Sequence, residues 1–250
     1  MAAALEISGL TRRFGGVTAL AGVDLSLLPG EVLGLIGPNG SGKTSLFNVL
    51  SGHYAPDAGA VRLDGRDIAG WAPRRIARAG VTRSFQNLRL LKRLSLYENL
   101  RAATHSAASG RELFWQSRAA KRRERSQLMD LLALFGLEDK ADDAPGALTL
   151  VEMRQLEIAR LLAARPRLVL LDEPAAGMTP AETARISRII AEHVLPGRSV
   201  IVIEHKMPLI TALCRRIAVL QAGVKIADGP ARAVLDDPLV RQSYFGSRPC

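Results

Sequence analysis

The segment Gly37-Pro38-Asn39-Gly40-Ser41-Gly42-Lys43-Thr44, continued by Ser45, constrains this chain more than any other stretch. It fits the pattern GxxxxGK followed by Ser or Thr. Its setting is the one that pattern requires, with the apolar run Val32–Ile36 reading as a buried strand before it and Lys43–Leu50 as an amphipathic helix after it. Glycines let successive backbone N–H groups turn inward around an anion without a Cβ in the way, and the helix N-terminus adds a favourable dipole. The segment therefore predicts a phosphate cradle. Lys43 would reach the outer phosphates of a nucleotide, and the Thr44 hydroxyl would sit on Mg²⁺.

Further apolar runs at Leu168–Leu171, Val200–Ile203 and Ile217–Leu220 read as buried strands. Helical patterns at Ala181–Val194 and Met207–Cys214 separate them, which implies a mainly parallel, right-handed βαβ core. Leu5–Ser8, Val23–Leu28 and Val61–Asp64 alternate apolar and polar residues, as an N-terminal antiparallel sheet with one wet face would. Between about Asn87 and Ala164 the pattern is helical only, at Leu88–Ala103, Glu112–Phe135 and Val151–Leu162. The expected fold class is α/β: one domain over residues 1–250, with a P-loop core and a helical subdomain inserted at about 87–164.

Leu168-Val169-Leu170-Leu171-Asp172-Glu173 is an apolar strand that ends in two acids. A buried strand tolerates acids at its solvent end, and in a parallel sheet the carboxyl edge is where ligands bind. The reading is that Asp172 holds Mg²⁺ through water, while Glu173 orients or deprotonates an attacking water. A helix-capping acid is the competing explanation, common for one acid and less so for two. The upstream phosphate loop decides in favour of catalysis.

Composition narrows the partners. Hydrophobic residues make up 48% and charged residues 23% of 250, which is globular. Aromatics are only 4%, which argues against a base-stacking surface, so no nucleic-acid partner is expected. The net charge of +10 by itself suits nucleic acid, an anionic membrane surface or an acidic partner, and does not choose among them. The basic stretch Arg118–Arg125 reads as a solvated helix face. Two cysteines, Cys214 and Cys250, without metal-like spacing, point to a reducing compartment. The N-terminal residues lack the layout of a signal peptide, and the longest apolar runs fall far short of a membrane span. Any membrane role is therefore expected to be peripheral, on the cytoplasmic face and through a partner.

With these residues in place, the chain resembles the ABC ATPases. Gln86, in Arg83-Ser84-Phe85-Gln86-Asn87, resembles the Q-loop glutamine, which in that family senses Mg²⁺ and the nucleophilic water. His205, after Ile203-Glu204, resembles the switch histidine that contacts the γ-phosphate, and Phe14 resembles the aromatic that stacks on adenine. Leu148-Thr149-Leu150-Val151-Glu152 stands where the family carries LSGGQ, the signature that meets ATP bound to the opposite subunit. Here Thr149 keeps a hydroxyl, but Val151 and Glu152 replace Gly and Gln. The expectation is that Val151 crowds the phosphate and Glu152 repels it. Ala176-Gly177-Met178-Thr179 takes the D-loop position.

The finer resemblance is to ATPase subunits of branched-chain amino-acid importers. It rests on Phe85-Gln86-Asn87-Leu88-Arg89-Leu90, on Asp172-Glu173-Pro174-Ala175-Ala176-Gly177-Met178, and on Ala227-Asp228-Gly229-Pro230 with Tyr244-Phe245-Gly246. It implies ATP and Mg²⁺ as cofactors and a second ATPase subunit, identical or different. It also implies two integral membrane permease subunits and a separate solute-binding protein. The solute would be a branched-chain or related hydrophobic amino acid, urea or an amide. The alternatives are a non-transport cytosolic ATPase of the same type and a regulatory ATP-binding module. A single phosphate loop without a long coiled-coil insertion argues against the first, and intact Lys43, Asp172, Glu173 and His205 argue against the second.

Overall fold

The computed structural model describes residues 4–86, 88–107 and 117–245. Two sheets form its frame. The smaller is antiparallel, in the order β2 (Val17–Leu27), β1 (Leu5–Phe14), β4 (Ala58–Leu63), β5 (Arg66–Asp67). Its alternation fixes the register: Leu5 opposes both Leu27 and Leu63, and Ile7 opposes Leu25 and Val61, so one face is continuously apolar.

The larger sheet has six strands, in the order β10 (Val224–Pro230), β9 (Arg216–Gln221), β3 (Val32–Ile36), β8 (Ser199–Ile203), β7 (Leu168–Asp172), β6 (Val81–Arg83). All neighbours are parallel except the β9–β10 pair. Its central strands are unbroken apolar runs because both faces are covered. Leu33, Leu35, Leu168, Leu170, Ile201 and Ile203 pack toward the antiparallel sheet and α1 (Lys43–Leu50). The alternate residues Val169, Leu171, Val200, Val202, Ile217 and Val219 pack in the second core with the remaining helices. Cys214 lies in that second core, where burial pushes its thiol up to about 12.

The other helices are α2 (Pro73–Arg78), α3 (Leu96–Ala107), α4 (Arg118–Leu134), α5 (Leu150–Ala163), α6 (Pro180–Ile189), α7 (Met207–Leu213), α8 (Ala231–Asp236) and α9 (Pro238–Phe245). The last turn expected of α6, Ile190–Val194, winds as a π-helix. One expectation is overturned. Residues 88–95 are not helical, and α3 starts only at Leu96. Ser95 and Glu98 cap that start reciprocally: Ser95 N–H donates to Glu98 Oε2 and Glu98 N–H donates to Ser95 Oγ. The buried Asn99 side chain holds the preceding loop through Leu91 and Leu94. The start of the expected Glu112–Phe135 helix, with Asn87 and Cys250, lies outside the described residues. The Arg118–Arg125 stretch is the exposed first half of α4 apart from a partly covered Glu124.

Candidate active site

The phosphate loop leaves β3 at the carboxyl edge of the large sheet and enters α1 at Lys43. Two glycines are obligatory for steric reasons. At Gly37 (φ 151°) an added Cβ would lie 2.1 Å from the Leu220 carbonyl oxygen, and at Gly42 (φ 106°) 2.5 Å from that of Ala19. The Lys43 ammonium folds back into the loop and donates to the carbonyls of Gly37 (2.7 Å) and Pro38 (2.9 Å). Burial pulls its pKa below the usual lysine value, and the nearby Glu173 and Asp172 carboxylates oppose that shift. Asn39, Gly40, Ser41, Gly42, Lys43, Thr44 and Ser45 line a cavity of about 620 Å³, closed on its far side by Gln86, Glu173 and His205.

Glu173 is the point on which the distant segments converge. Gln86 Nε2 donates to Glu173 Oε2 at 2.9 Å, and His205 Nε2 lies 3.1 Å from Glu173 Oε1. The Glu173 backbone sits at φ 47°, a left-handed conformation that a non-glycine residue adopts at a cost, and its N–H donates to the Ile203 carbonyl. With this turn the carboxylate lies in the cavity wall, where Gln86 and His205 meet it. Next to His205, Lys206 donates to the carbonyls of Ala175 and Met178 and to Thr183 Oγ1, which ties the histidine segment to the turn after Glu173.

Asp172 is buried and its carboxylate is already engaged. Arg83 Nη2 donates to Asp172 Oδ2 at 2.7 Å, an ion pair whose side chains are 6% and 8% exposed. Phe14 is 38% exposed at the end of β1, edge-on to Tyr54 at 5.0 Å and under the Arg12 guanidinium. It is not a core residue, and it does not line the cavity. Val17, Thr18 and Ala19 of β2 occupy that wall instead.

The segment at Thr149 corrects the sequence reading twice. Val151 is 7% exposed and packs in the second core, so its side chain points away from any ligand at the helix start. Glu152 closes a capping box: its N–H donates to Thr149 Oγ1, and its Oε2 accepts from Thr149 N–H and hydroxyl. Lys140 donates to its Oε1 at 2.6 Å. Glu152 is thus a paired charge, not a bare one. Its pKa is lowered from 4.5 to about 2, first by Lys140 and then by the Thr149 backbone N–H. A depressed folded-state pKa contributes stability that is present above the ordinary carboxylate range and lost as pH falls from 4.5 through about 2. Lys140→Met is expected to move the midpoint of acid unfolding to higher pH, and an unchanged midpoint would refute the pairing.

Sequence reasoning missed Arg83, Arg154 and Glu157. Arg154 and Glu157 form an ion pair inside α5 with side chains 2% and 5% exposed. Both also hold the backbone beside Gln86: Arg154 donates to the Phe85 carbonyl, and Glu157 accepts from Phe85 N–H. Arg83 has its partners Asn48, Ser51 and Asp172 far along the chain. Arg154 and Glu157 are local to each other, at i and i+3, but the Phe85 backbone they hold lies about 70 residues away.

A loop of this geometry at the edge of a parallel sheet, faced by a strand ending in two acids, defines a P-loop nucleotide-binding fold. Comparison with known proteins makes the class specific. The chain belongs to the ABC transporter family, which it matches over residues 20–176. It is therefore an ABC ATPase that binds ATP. It is 41% identical to the high-affinity branched-chain amino acid transport ATP-binding protein BraF of Pseudomonas aeruginosa, over 97% of both chains. It is 37% identical to LivG of Escherichia coli K12, described in the same words, again over 97% of both. Among solved structures, the ADP conformation of MJ1267, an ATP-binding cassette of an ABC transporter, superposes with a TM-score of 0.86 at 30% identity, covering 99% of this chain and 100% of that one.

Proposed function

We propose that this chain is the ATP-hydrolysing subunit of an importer for branched-chain or closely related hydrophobic amino acids. The observation that carries the catalytic part is the convergence of Gln86 and His205 on Glu173 at the wall of the phosphate cavity. In this reading Glu173 is the base that takes a proton from water, Gln86 and His205 position it, and Lys43 holds the outer phosphates. The solute class is supported by the likeness to BraF and LivG along nearly the whole of each chain.

The donors present suit Mg²⁺. Asp172, the Thr44 hydroxyl and the Gln86 amide oxygen are hard oxygen ligands with a single carboxylate among them, and Mg²⁺ binds through few carboxylates, water and substrate phosphates. Among the described residues no group of three or more His, Cys, Asp or Glu forms an all-protein metal cage. When bound, Mg²⁺ would offset the negative charge of the nucleotide phosphates.

No helix among the described residues is long and apolar enough to cross a membrane. We assign the chain to the cytoplasmic face of the membrane, with two permease subunits, a second ATPase subunit and a solute-binding protein as partners. The helical segment α3–α5 acts as one subdomain. The Thr149 end of α5 faces ATP held by the second ATPase subunit. Co-purification with the membrane subunits, followed by ATPase assay with the solute-binding protein, tests the reading. The expected result is slow hydrolysis by the isolated chain and stimulation by leucine-type solutes in the complex. Full turnover by a demonstrated monomer would overturn the assembly, and stimulation only by unrelated solutes would overturn the solute class.

A further inference from the structure

Arg83 is a buried cation placed between three parts of the site. It stands at the end of edge strand β6, three residues before Gln86. Its Nη2 donates to Asp172 Oδ2 at 2.7 Å, and its Nη1 donates to Asn48 Oδ1 at 2.7 Å and Ser51 Oγ at 3.2 Å on α1. The Phe47 and Phe85 rings flank the guanidinium at 5.4 and 5.1 Å. Its Nε is buried without a hydrogen-bond partner, so the group is held by its outer nitrogens alone. Asp172 receives a second constraint from Ser84, whose Oγ accepts the Asp172 N–H.

Two charges out of water must neutralise one another, and a carboxylate this buried would otherwise carry a large desolvation penalty. The same carboxylate is the one acid we assign to Mg²⁺. A divalent cation held by Asp172 would therefore meet an acid already neutralised by a guanidinium 2.7 Å from its carboxylate oxygen. The like-charge repulsion is strong at low effective dielectric. An arginine here acts against cation binding, not for it.

We infer that Arg83 is the resident counter-ion of Asp172, which neutralises it in the nucleotide-free protein and sets the affinity for the divalent cation by competing with it. The inference rests on Asp172 being the metal-bearing acid. Because the guanidinium also grips α1 and precedes Gln86 on the same strand end, displacement by the cation shifts the segment that carries Gln86. Arg83 is a positioning residue in this scheme, since it acts through Asp172 and through the segment that carries Gln86.

Binding of Mn²⁺, followed by electron paramagnetic resonance on the full chain with a non-hydrolysable ATP analogue, tests it without turnover. Arg83→Gln removes the competing charge and is expected to tighten Mn²⁺ by about tenfold. The same variant should melt at lower temperature without ligand and recover more on adding Mn²⁺ and analogue than wild type does. Arg83→Lys keeps the charge and is expected to stay within about threefold of wild type. A merely structural Arg83 predicts lower stability with Mn²⁺ affinity unchanged or weaker, and that outcome overturns the inference. Should Arg83→Gln not fold, a shift of about tenfold or more in Arg83→Lys overturns it equally. Asp172→Asn is the control. It should weaken Mn²⁺ severely, and if it does not, the metal assignment fails and the inference falls with it.

Discussion

Glu173→Gln is expected to lower ATP turnover of the assembled complex by about 10²- to 10⁴-fold, while ATP affinity stays near that of the wild type. The argument starts from the two contacts on the carboxylate. Gln86 donates to one oxygen and His205 faces the other, so both neighbours are aimed at a group that accepts. A glutamine keeps the size, the left-handed backbone and one acceptor oxygen, but loses the charge and the capacity to take a proton. The phosphate cradle is built from Lys43 and backbone N–H groups, none of which the substitution touches. Binding and chemistry should therefore separate. Filter binding of labelled ATP would find it retained, and a closed dimer of ATPase subunits should accumulate. Turnover above a tenth of the wild-type rate would remove Glu173 from the role of base. Lys43→Ala is the converse case, with binding and turnover lost together.

How much of this was legible in the sequence follows the range over which each signal acts. The phosphate loop, the apolar strands and the acids at the end of β7 are local patterns, and the structure places them as read. Strand β6 was not legible, because Val81–Arg83 is three residues long and has one fully buried apolar side chain. The helix expected from Leu88 failed where a local cue was present but outweighed: Ser95 and Glu98 spell a capping box, whereas the apolar spacing upstream suggested a longer helix. Val151 illustrates the opposite limit. Its bulk was read as an obstacle because side-chain direction at a helix start cannot be taken from sequence, and burial in the second core removes the obstacle. Pairs such as Arg83 with Asp172 join residues far apart in the chain, so only the fold reveals them.

The clamp on Phe85 should give the largest loss of stability, because it buries an ion pair in which Arg154 is the main charge opposing Glu157, with Arg160 a lesser one. Arg154 and Glu157 are buried at 2% and 5% side-chain exposure on one face of α5. Breaking a buried pair by removing one partner typically costs roughly 3–5 kcal/mol, since the other charge stays buried and uncompensated. Arg154→Met is expected to fall in that range by chemical denaturation. Burial already raises the Glu157 pKa, with Arg154 the main opposing influence. Without Arg154 the pKa rises further, and the folded state then gains relative stability as pH falls toward it and the carboxyl takes up a proton. The deficit of Arg154→Met should therefore shrink on mild acidification, and a deficit independent of pH would argue against an uncompensated Glu157. The double variant Arg154→Met with Glu157→Leu removes both charges and should regain much of the lost stability. Activity should not return with it. The N–H and carbonyl of Phe85 would both lose their α5 partners, and the adjacent Gln86 would no longer be held against Glu173. A double variant that is stable and fully active would show that α5 merely fills space beside Gln86. One that is stable and slow would show that α5, whose start faces the partner's nucleotide in the proposed assembly, holds the glutamine of this chain's own site in place.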